Sequence, residues 1–175
     1  FKWRSSCTIQ KTMINREQIK KLYEWAKVTK FPLYKLNNPD KYANKRIDYS
    51  WNKLVDHKNK TTIRRKFMTE DIIRIHENPE ILWSAIGVFY AGTKVNKHKD
   101  PDIFSEPYKR IQIPLKIPSS DKCYMVWEDG RKTYWKEGEP QVHYVMDLEH
   151  EGHNYSDEEM IFLMLDIKKT TEVEL

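Results

Sequence analysis

The sequence predicts a mainly β domain of the jelly-roll barrel type, with helices in its N-terminal part. Two observations carry this prediction. From residue 81 the hydrophobic pattern changes toward a period of two, and β-rich runs follow at short intervals, separated by Gly, Pro, Asn and Asp. Many short strands without intervening helices are typical of a sandwich or a barrel, and they argue against a parallel α/β sheet.

The chain length predicts one domain over residues 1–175, because it leaves little room for a second one. Hydrophobic residues make up 39% of the chain and aromatic residues 13%, which supplies the large side chains that a packed interior needs. We expect residues 1–80 to form a helical and irregular part that packs on the barrel. Residues 81–167 are expected to form the jelly-roll core.

Two helices are predicted in the N-terminal part. The first covers residues 16–29, where Asn15 and Gln18 form a capping-box pattern and the next apolar residues follow the helical spacing: Ile19, Leu22, Tyr23 and Ala26. The second runs from Thr69 through about His76, with acidic residues in its first turn. Residues 31–62 contain two prolines and show no sustained period, so a loop is predicted there.

Six strands are predicted in the second half of the chain. Asp129 and Gly130, within WEDGRK, lie where a tight hairpin turn requires a positive φ. No internal repeat is visible. The predicted strands cover residues 81–91, 109–118, 122–128, 131–136, 140–147 and 159–167.

Candidate metal ligands lie in two separate segments of the strand-rich half. His98 and Asp100 are two residues apart, so in an extended chain both project to the same side. About 50 residues later, LEHEGHNYSDEE supplies His150 and His153. Two histidines and one carboxylate on one face of an octahedron leave three positions open, which is the arrangement of non-heme Fe(II) oxygenases. The alternative is that these are solvated histidines in polar loops.

The segment KRIQIPLKIP alternates strictly. Its aliphatic residues Ile111, Ile113, Leu115 and Ile117 share one face, and the opposite face carries Arg110, Gln112 and Lys116. If the aliphatic face packs, the polar face presents a guanidinium and an amide to the cavity that the sheet surrounds. An Arg in such a place suits a carboxylate. A half-solvated edge strand would give the same pattern.

Charge and cysteine content restrict the partners only weakly. The formal net charge of +5 comes from 31 basic and 26 acidic residues mixed along the chain, which favours a solvated surface over a nucleic-acid interface. Cys7 and Cys123 form neither a CxxC pair nor a disulfide framework, which favours a reducing, cytoplasmic setting. No apolar run approaches the length of about 20 residues that crosses a bilayer, so no membrane partner is expected.

Four segments in order resemble the aspartyl/asparaginyl β-hydroxylase family. GTKVNKH at 92–98 resembles the family's segment around its first metal His, and RIQIPLKIP at 110–118 its Arg-bearing strand. YWKEGE at 134–139 is similar to its Trp, acidic residue, Gly segment. LEHEGHNYSDEEMIFLMLDI at 148–167 resembles the segment with the second metal His, an Asn four residues on and a Ser six on.

The resemblance implies a cupin-like double-stranded β-helix and an Fe(II)- and 2-oxoglutarate-dependent dioxygenase that uses O2. It selects His150 rather than His153, so the implied metal ligands and catalytic residues are His98, Asp100 and His150. Asp100 completes a triad that the animal hydroxylases of the family lack, which favours hydroxylation. The implied substrate is an amino acid or a peptide or protein side chain, and Arg110, Gln112 and Lys116 are the candidate contacts to the cosubstrate.

Met160 departs from the family pattern. The family has an Arg ten residues after its second metal His, where the guanidinium holds the distal carboxylate of 2-oxoglutarate, and this chain has Met160 there. An unpaired buried carboxylate would cost several kcal/mol. A cupin-like binding or structural module without turnover, or a metal enzyme of another type on the same barrel, therefore stay as alternatives to the dioxygenase.

Overall fold

The computed structural model describes residues 13–31, 36–39, 46–56, 61–62 and 65–175, and it gives side-chain detail for 13–31, 53–56 and 65–175. Two α-helices are present, α1 (Arg16–Val28) and α2 (Glu70–His76), with a short 3-10 helix at Arg65–Phe67. The strands are β1 (Met13–Ile14), β2 (Leu36–Pro39), β3 (Arg46–Asp56), β4 (Thr61–Thr62), β5 (Ile81–Phe89), β6 (Lys94–His98), β7 (Tyr108–Lys116), β8 (Cys123–Trp127), β9 (Lys132–Tyr134), β10 (Gln141–His143), β11 (His150–Asn154), β12 (Met160–Lys168) and β13 (Glu172–Val173).

Two antiparallel sheets form the body of the described fold. The larger has the order β10-β7-β12-β5-β3-β2, with β4 also paired to β3, and the smaller has the order β6-β11-β8-β9. Neighbouring strands in these sheets run antiparallel, and β1 and β13 form a separate parallel pair. Neither sheet closes on itself in the part of the chain that the structure describes. The predicted mainly β, cupin-like fold is confirmed.

The larger sheet is buried on both faces, which explains the nearly continuous apolar sequence of β12. Leu163 and Leu165 pack with the helices on one face, and Phe162 and Met164 pack against the smaller sheet on the other. Strands buried on both sides need apolar residues at every position rather than at alternate ones. The helix-side cluster includes Ile19 and Leu22 of α1, Ile72 and Ile75 of α2, and Ile111, Ile113 and Leu115 of β7.

Both predicted helices are confirmed, and the capping box is present. The side chain of Asn15 accepts a hydrogen bond from the Gln18 amide at 2.9 Å, and the Gln18 side chain accepts one from the Asn15 amide at 3.0 Å. These reciprocal bonds satisfy two amides that a helix terminus would otherwise leave free. Helix α2 begins directly after Thr69, as predicted. No helix of the described residues is long and apolar enough to cross a membrane.

The predicted loop over residues 31–62 is wrong for three segments, because β2, β3 and β4 lie there. Residues 32–35, 40–45 and 57–60 of that prediction lie outside the described residues. Strand β3 pairs with β5 over most of its length, but the register shifts between Lys53 and Val55. A bulge of this kind places consecutive residues on one side and interrupts the period of two; Leu54 and Val55 are accordingly both buried.

The six predicted strands of the second half are all present, and five of them differ from the prediction by one or two residues at their ends. The predicted strand at 140–147 is wrong for most of its length, because only Gln141–His143 is extended and residues 145–147 form a turn. The hairpin prediction at WEDGRK is confirmed, since β8 and β9 pair across that turn. Of its two turn residues, only Gly130 has a positive φ, at 82°. Strands β6 and β11 were not predicted, because KVNKH and HEGHN are short and polar. These two strands carry His98 and His150, two of the three candidate metal ligands.

Candidate metal centre

Two paired strands bring the predicted ligands together. His98 is the last residue of β6, Asp100 follows two residues later, and His150 is the first residue of β11. Strands β6 and β11 are antiparallel neighbours, and the register places His150 directly opposite His98. Side chains of directly opposed residues project to the same face of a sheet. The end of one strand and the start of its neighbour therefore place all three side chains at one edge.

The ligand atoms converge on a small volume. The Nε2 atom of His98 lies 3.1 Å from Oδ1 of Asp100, and Nε2 of His150 lies 3.6 Å from the same oxygen. All three ligand atoms lie within 4.8 Å of one another. Ligands about 2.1 Å from a metal ion and at right angles to each other are about 3 Å apart. The described residues thus fit a metal ion bound on one triangular face of an octahedron.

Backbone carbonyls fix the orientation of both imidazole rings. Nδ1 of His98 donates a hydrogen bond to the carbonyl of Asn96 at 2.6 Å, and Nδ1 of His150 donates to the carbonyl of Leu148 at 3.0 Å. In each case the acceptor lies two residues earlier in the chain. Nε2 of each ring therefore points toward the cluster, which is the usual arrangement of histidines that bind metals. Nε2 of His98 also faces Oδ1 of Asp100, and this hydrogen bond raises the pKa of His98, so metal binding would release its proton.

Arg110 holds the third candidate ligand. Its Nη1 lies 2.9 Å from Oδ2 of Asp100, so that Oδ1 is left to face the two histidines. Burial alone would raise the pKa of the Asp100 carboxyl, but the Arg110 guanidinium and the hydrogen bond with His98 lower this pKa to about 2. Asp100 is therefore a carboxylate at neutral pH. This is the form that binds a metal.

Asp166 orients Arg110 from the other side. The Arg110 guanidinium donates through Nε to Oδ1 of Asp166 at 2.7 Å and through Nη2 to Oδ2 at 2.9 Å. The side chain of Asp166 is 1% exposed and that of Arg110 is 13% exposed. This bidentate pair fixes the plane of the guanidinium. Asp166 lies near the end of the segment 148–167 that resembles the family, and the sequence alone predicts no role for it.

His153 faces a different set of partners. Its ring stacks on Tyr124 at 4.9 Å between centroids, its Nδ1 bonds to the hydroxyl of Tyr155, and its Nε2 bonds to Glu151 at 2.8 Å. Both of its nitrogens are occupied, and it does not belong to the converging group. The geometry agrees with the choice of His150 over His153 as a ligand, and metal binding itself stays a prediction.

The predicted cosubstrate contacts have other partners in the structure. Arg110 pairs with Asp100 and Asp166, as described above. Lys116 lies 2.9 Å from Glu158 and 3.0 Å from Glu159. Gln112 accepts a hydrogen bond from the indole of Trp135 at 3.1 Å. A carboxylate ligand would compete with these partners for the same donors.

Met160 lies inside the space between the two sheets. It is 1% exposed and belongs to an apolar cluster with members from both sheets: Phe89, Cys123, Met125, Trp127, Trp135, Phe162 and Met164. Asn154 fixes the adjacent loop, because its side-chain amide donates to the carbonyls of Phe89, Tyr90 and Glu158. The surroundings of Met160 are therefore suited to apolar groups. The guanidinium expected from the family pattern has no substitute among the members of this cluster.

Two antiparallel sheets with a His-Asp-His cluster at the end of one sheet are the features of a cupin-type fold with a candidate metal site. The profile of the aspartyl/asparaginyl beta-hydroxylase family matches residues 12–170. The chain belongs to this family, as the four matching segments indicated.

One solved structure supports the fold, and two others match parts of the chain. A 2OG-Fe(II) oxygenase family oxidoreductase from Burkholderia pseudomallei is 14% identical, with a TM-score of 0.57, and the match covers 91% of this chain and 82% of that one. The DMSP lyase DddQ from Ruegeria pomeroyi is 17% identical (TM-score 0.39, 51% of this chain), and a cupin protein from Bacteroides fragilis is 19% identical (TM-score 0.39, 50% of this chain). The chain spans 40% and 65% of these two proteins. No curated protein matches the sequence.

Proposed function

We propose that this chain is a non-heme Fe(II)-dependent oxygenase that hydroxylates an amino acid or a peptide side chain. The observation that carries the proposal is the convergence of His98, Asp100 and His150, with both histidines anchored through Nδ1 so that Nε2 points toward the cluster. Three protein ligands on one face leave room for O2 and an organic ligand. The family membership supports the same chemistry.

Each residue of the centre has a definable role in this proposal. His98 and His150 supply neutral nitrogen ligands, and Asp100 supplies an anionic oxygen. Arg110 keeps the second oxygen of Asp100 engaged, which prevents that carboxylate from rotating away from the histidines. Iron bound there would supply the activation of O2 for insertion into a C–H bond. The protein contributes the position and the charge of the ligands.

The position of Met160 bears on the cosubstrate. 2-Oxoglutarate is expected from the family, but the place of its usual anchor is taken by Met160 in an apolar cluster. Arg110, Lys116 and Gln112, the residues predicted to contact it, already have partners among the described residues. The ligand cluster fits a metal ion, whereas the surroundings of Met160 do not fit the distal carboxylate of 2-oxoglutarate.

The environment of Met160 favours a second candidate function. In this alternative the chain is a cupin-like module that retains the metal but no longer turns over 2-oxoglutarate. Burying a carboxylate in an apolar cluster without a cation costs several kcal/mol, which would prevent stable binding of the cosubstrate. The two candidates share the metal centre and differ in turnover.

Metal binding tests the shared part. Anaerobic titration of the full chain with Fe(II) is expected to give one site, and His150→Ala is expected to weaken binding at least about 100-fold, since even the loss of a group that supports a ligand costs 10–100-fold. His153→Ala is the matched control, because His153 lies on the same strand outside the cluster. Equal affinities for the two variants would refute the assignment of His150.

Turnover separates the two candidates. Incubation with Fe(II), ascorbate, O2 and 2-oxoglutarate, with a panel of amino acids and peptides, is expected to release succinate and yield a hydroxylated product. Wild type that binds iron but releases no succinate with any member of the panel would favour the binding module. The His150→Ala variant serves as the background in both measurements.

A further inference from the structure

A cavity opens between β10 of the larger sheet and the β8–β9 hairpin of the smaller one. Its volume is about 360 Å³, which is within the range of sites for small molecules. Much of its wall is apolar or aromatic, with Trp127, Pro140, Val142, Leu148 and Leu175 among the lining residues. A wall of this kind suits the hydrocarbon body of a small ligand.

Two polar side chains of this wall are closed to a ligand. His143 is 5% exposed, and its Nε2 atom and Oε1 of Gln141 are both fully buried. Burial lowers the pKa of His143 to about 3, with further lowering by Arg110 and His150, so its ring carries no charge at neutral pH. Arg131 is therefore the one charged side chain that lines the cavity in the described part of the chain.

The guanidinium of Arg131 has donors to spare. Its Nε donates to Oδ2 of Asp129 at 2.9 Å, and its backbone N–H donates to Oδ1 of the same residue at 3.0 Å. The described residues provide no hydrogen-bond acceptor for Nη1 or Nη2, and the side chain is 62% exposed. Two neighbouring donors of a planar guanidinium match the two oxygens of a carboxylate.

The ring of Trp127 places this guanidinium beside the candidate metal centre. Cζ of Arg131 lies 5.8 Å from the centroid of that ring, and the indole N–H donates to the hydroxyl of Thr133 at 2.8 Å. The same ring lies 5.5 Å from that of His150. A ligand that contacts Trp127 and Arg131 is thus separated from a candidate metal ligand by a single ring.

We propose that this cavity binds the carboxylate of a small apolar acid, with its two oxygens on Nη1 and Nη2 of Arg131 and its hydrocarbon body against Trp127 and Leu148. A free apolar amino acid and the C-terminal residue of a peptide both present this combination. Because Arg131 is exposed, solvent screens the ion pair, and the affinity should fall as salt is added. Binding of the acid stands on the cavity alone, and naming the acid as the substrate rests on the proposed function.

The test is an NMR titration of the metal-free, 15N-labelled full chain, because a bound metal ion would itself bind a carboxylate. N-acetylleucine carries the carboxylate and the apolar body, and N-acetylleucinamide replaces only the carboxylate, by an uncharged amide. The indole signal of Trp127, assigned through Trp127→Phe, reports binding. We expect N-acetylleucine to saturate this shift and to bind about fivefold more tightly than its amide, as one exposed ion pair predicts.

Free leucine identifies the source of the carboxylate. An affinity for leucine at or above that for N-acetylleucine indicates a free amino acid, since the ammonium group is then tolerated. Tighter binding of N-acetylleucine indicates the C-terminal residue of a peptide, because the acetyl group stands for the preceding peptide bond.

Two variants tie binding to the guanidinium. Arg131→Gln removes its charge and is expected to weaken N-acetylleucine about fivefold while leaving the affinity for the amide unchanged. Lys132→Gln removes the same charge from the next residue, whose Nζ lies 4.5 Å from the ring of Tyr124, outside the cavity. This control variant should leave both affinities unchanged.

Three results would overturn the inference: equal affinities for N-acetylleucine and its amide, no saturable shift with N-acetylleucine, or equal losses of affinity in Arg131→Gln and Lys132→Gln. Failure of the proposed function is distinguishable, because it would appear as absent iron binding or turnover. The metal-free titration reports on the cavity in either case.

Discussion

Arg110→Met tests whether the buried ion pairs of the metal centre depend on a single cation. The substitution keeps much of the side-chain volume but leaves Asp100 and Asp166 without their guanidinium, and these side chains are 10% and 1% exposed. Breaking a buried pair by removing one partner costs about 3–5 kcal/mol. Because two buried carboxylates lose their cation, we expect the free energy of unfolding of the metal-free protein to fall by about 4 kcal/mol. This corresponds to about 10 °C in Tm for a chain of this length.

Urea unfolding of the metal-free protein measures this loss, and two further variants interpret it. Arg110→Met combined with Asp166→Leu replaces the closest pair with apolar groups, so it should be more stable than Arg110→Met alone by about 2 kcal/mol. Arg131→Met removes an exposed pair with Asp129, and a change below about 1 kcal/mol is expected. A loss below 1 kcal/mol in Arg110→Met, or a double variant less stable than the single one, would refute the reasoning.

Three further substitutions have defined outcomes in urea or thermal unfolding. His143→Phe should stabilise the protein by about 1 kcal/mol, because a buried unpaired nitrogen is removed; destabilisation would indicate an unseen partner. Asn154→Ala should cost more than about 3 kcal/mol, since its amide donates to three carbonyls and its oxygen accepts from Ser156, and a cost below 1 kcal/mol would contradict that role. Phe162→Ala, at a fully buried position between the sheets, should cost about 3–5 kcal/mol, and a cost near that of a surface change would show that the cluster can collapse.

Sequence patterns predicted the strands that build the core. Strand β7 alternates strictly, because its aliphatic face packs with the helices while Gln112 meets Trp135 on the other side. Strand β12 is recognisable by its apolar run, since both of its faces are buried. In each case the residues that pack are the ones that set the pattern, so periodicity and structure have the same cause.

The strands that sequence patterns missed are those that carry other demands. In β3 a bulge at Lys53 to Val55 interrupts the alternation. Strands β6 and β11 consist of the mainly polar segments KVNKH and HEGHN, which lack the usual strand-forming residues. Backbone pairing holds both segments extended, because β11 pairs with β6 on one side and with β8 on the other. Hydrophobic patterns fail to predict a strand where polar residues with another role stand in place of residues that pack. The two strands missed for this reason, β6 and β11, are the ones at the candidate metal centre.

Residue type and spacing supplied the candidate ligands His98, Asp100, His150 and His153, and the family resemblance selected His150 over His153. The structure brings the three selected residues together. The partners of those ligands could not be predicted in the same way. The contact of Arg110 with Asp100 depends on where β6 ends relative to β7, and the pairing with Asp166 depends on the register between β7 and β12. Such contacts between distant segments leave no local signature in one sequence.

The carbonyl anchors of His98 and His150 bear on how metal occupancy is linked to folding. Because the carbonyls of Asn96 and Leu148 hold both rings, the ion is not needed to orient them, and loading carries little ordering entropy of these side chains. The ion would then stabilise the native state by mass action alone, about 2.7 kcal/mol at a free concentration 100 times its Kd. Chelators should lower the melting temperature in proportion to occupancy without unfolding the chain.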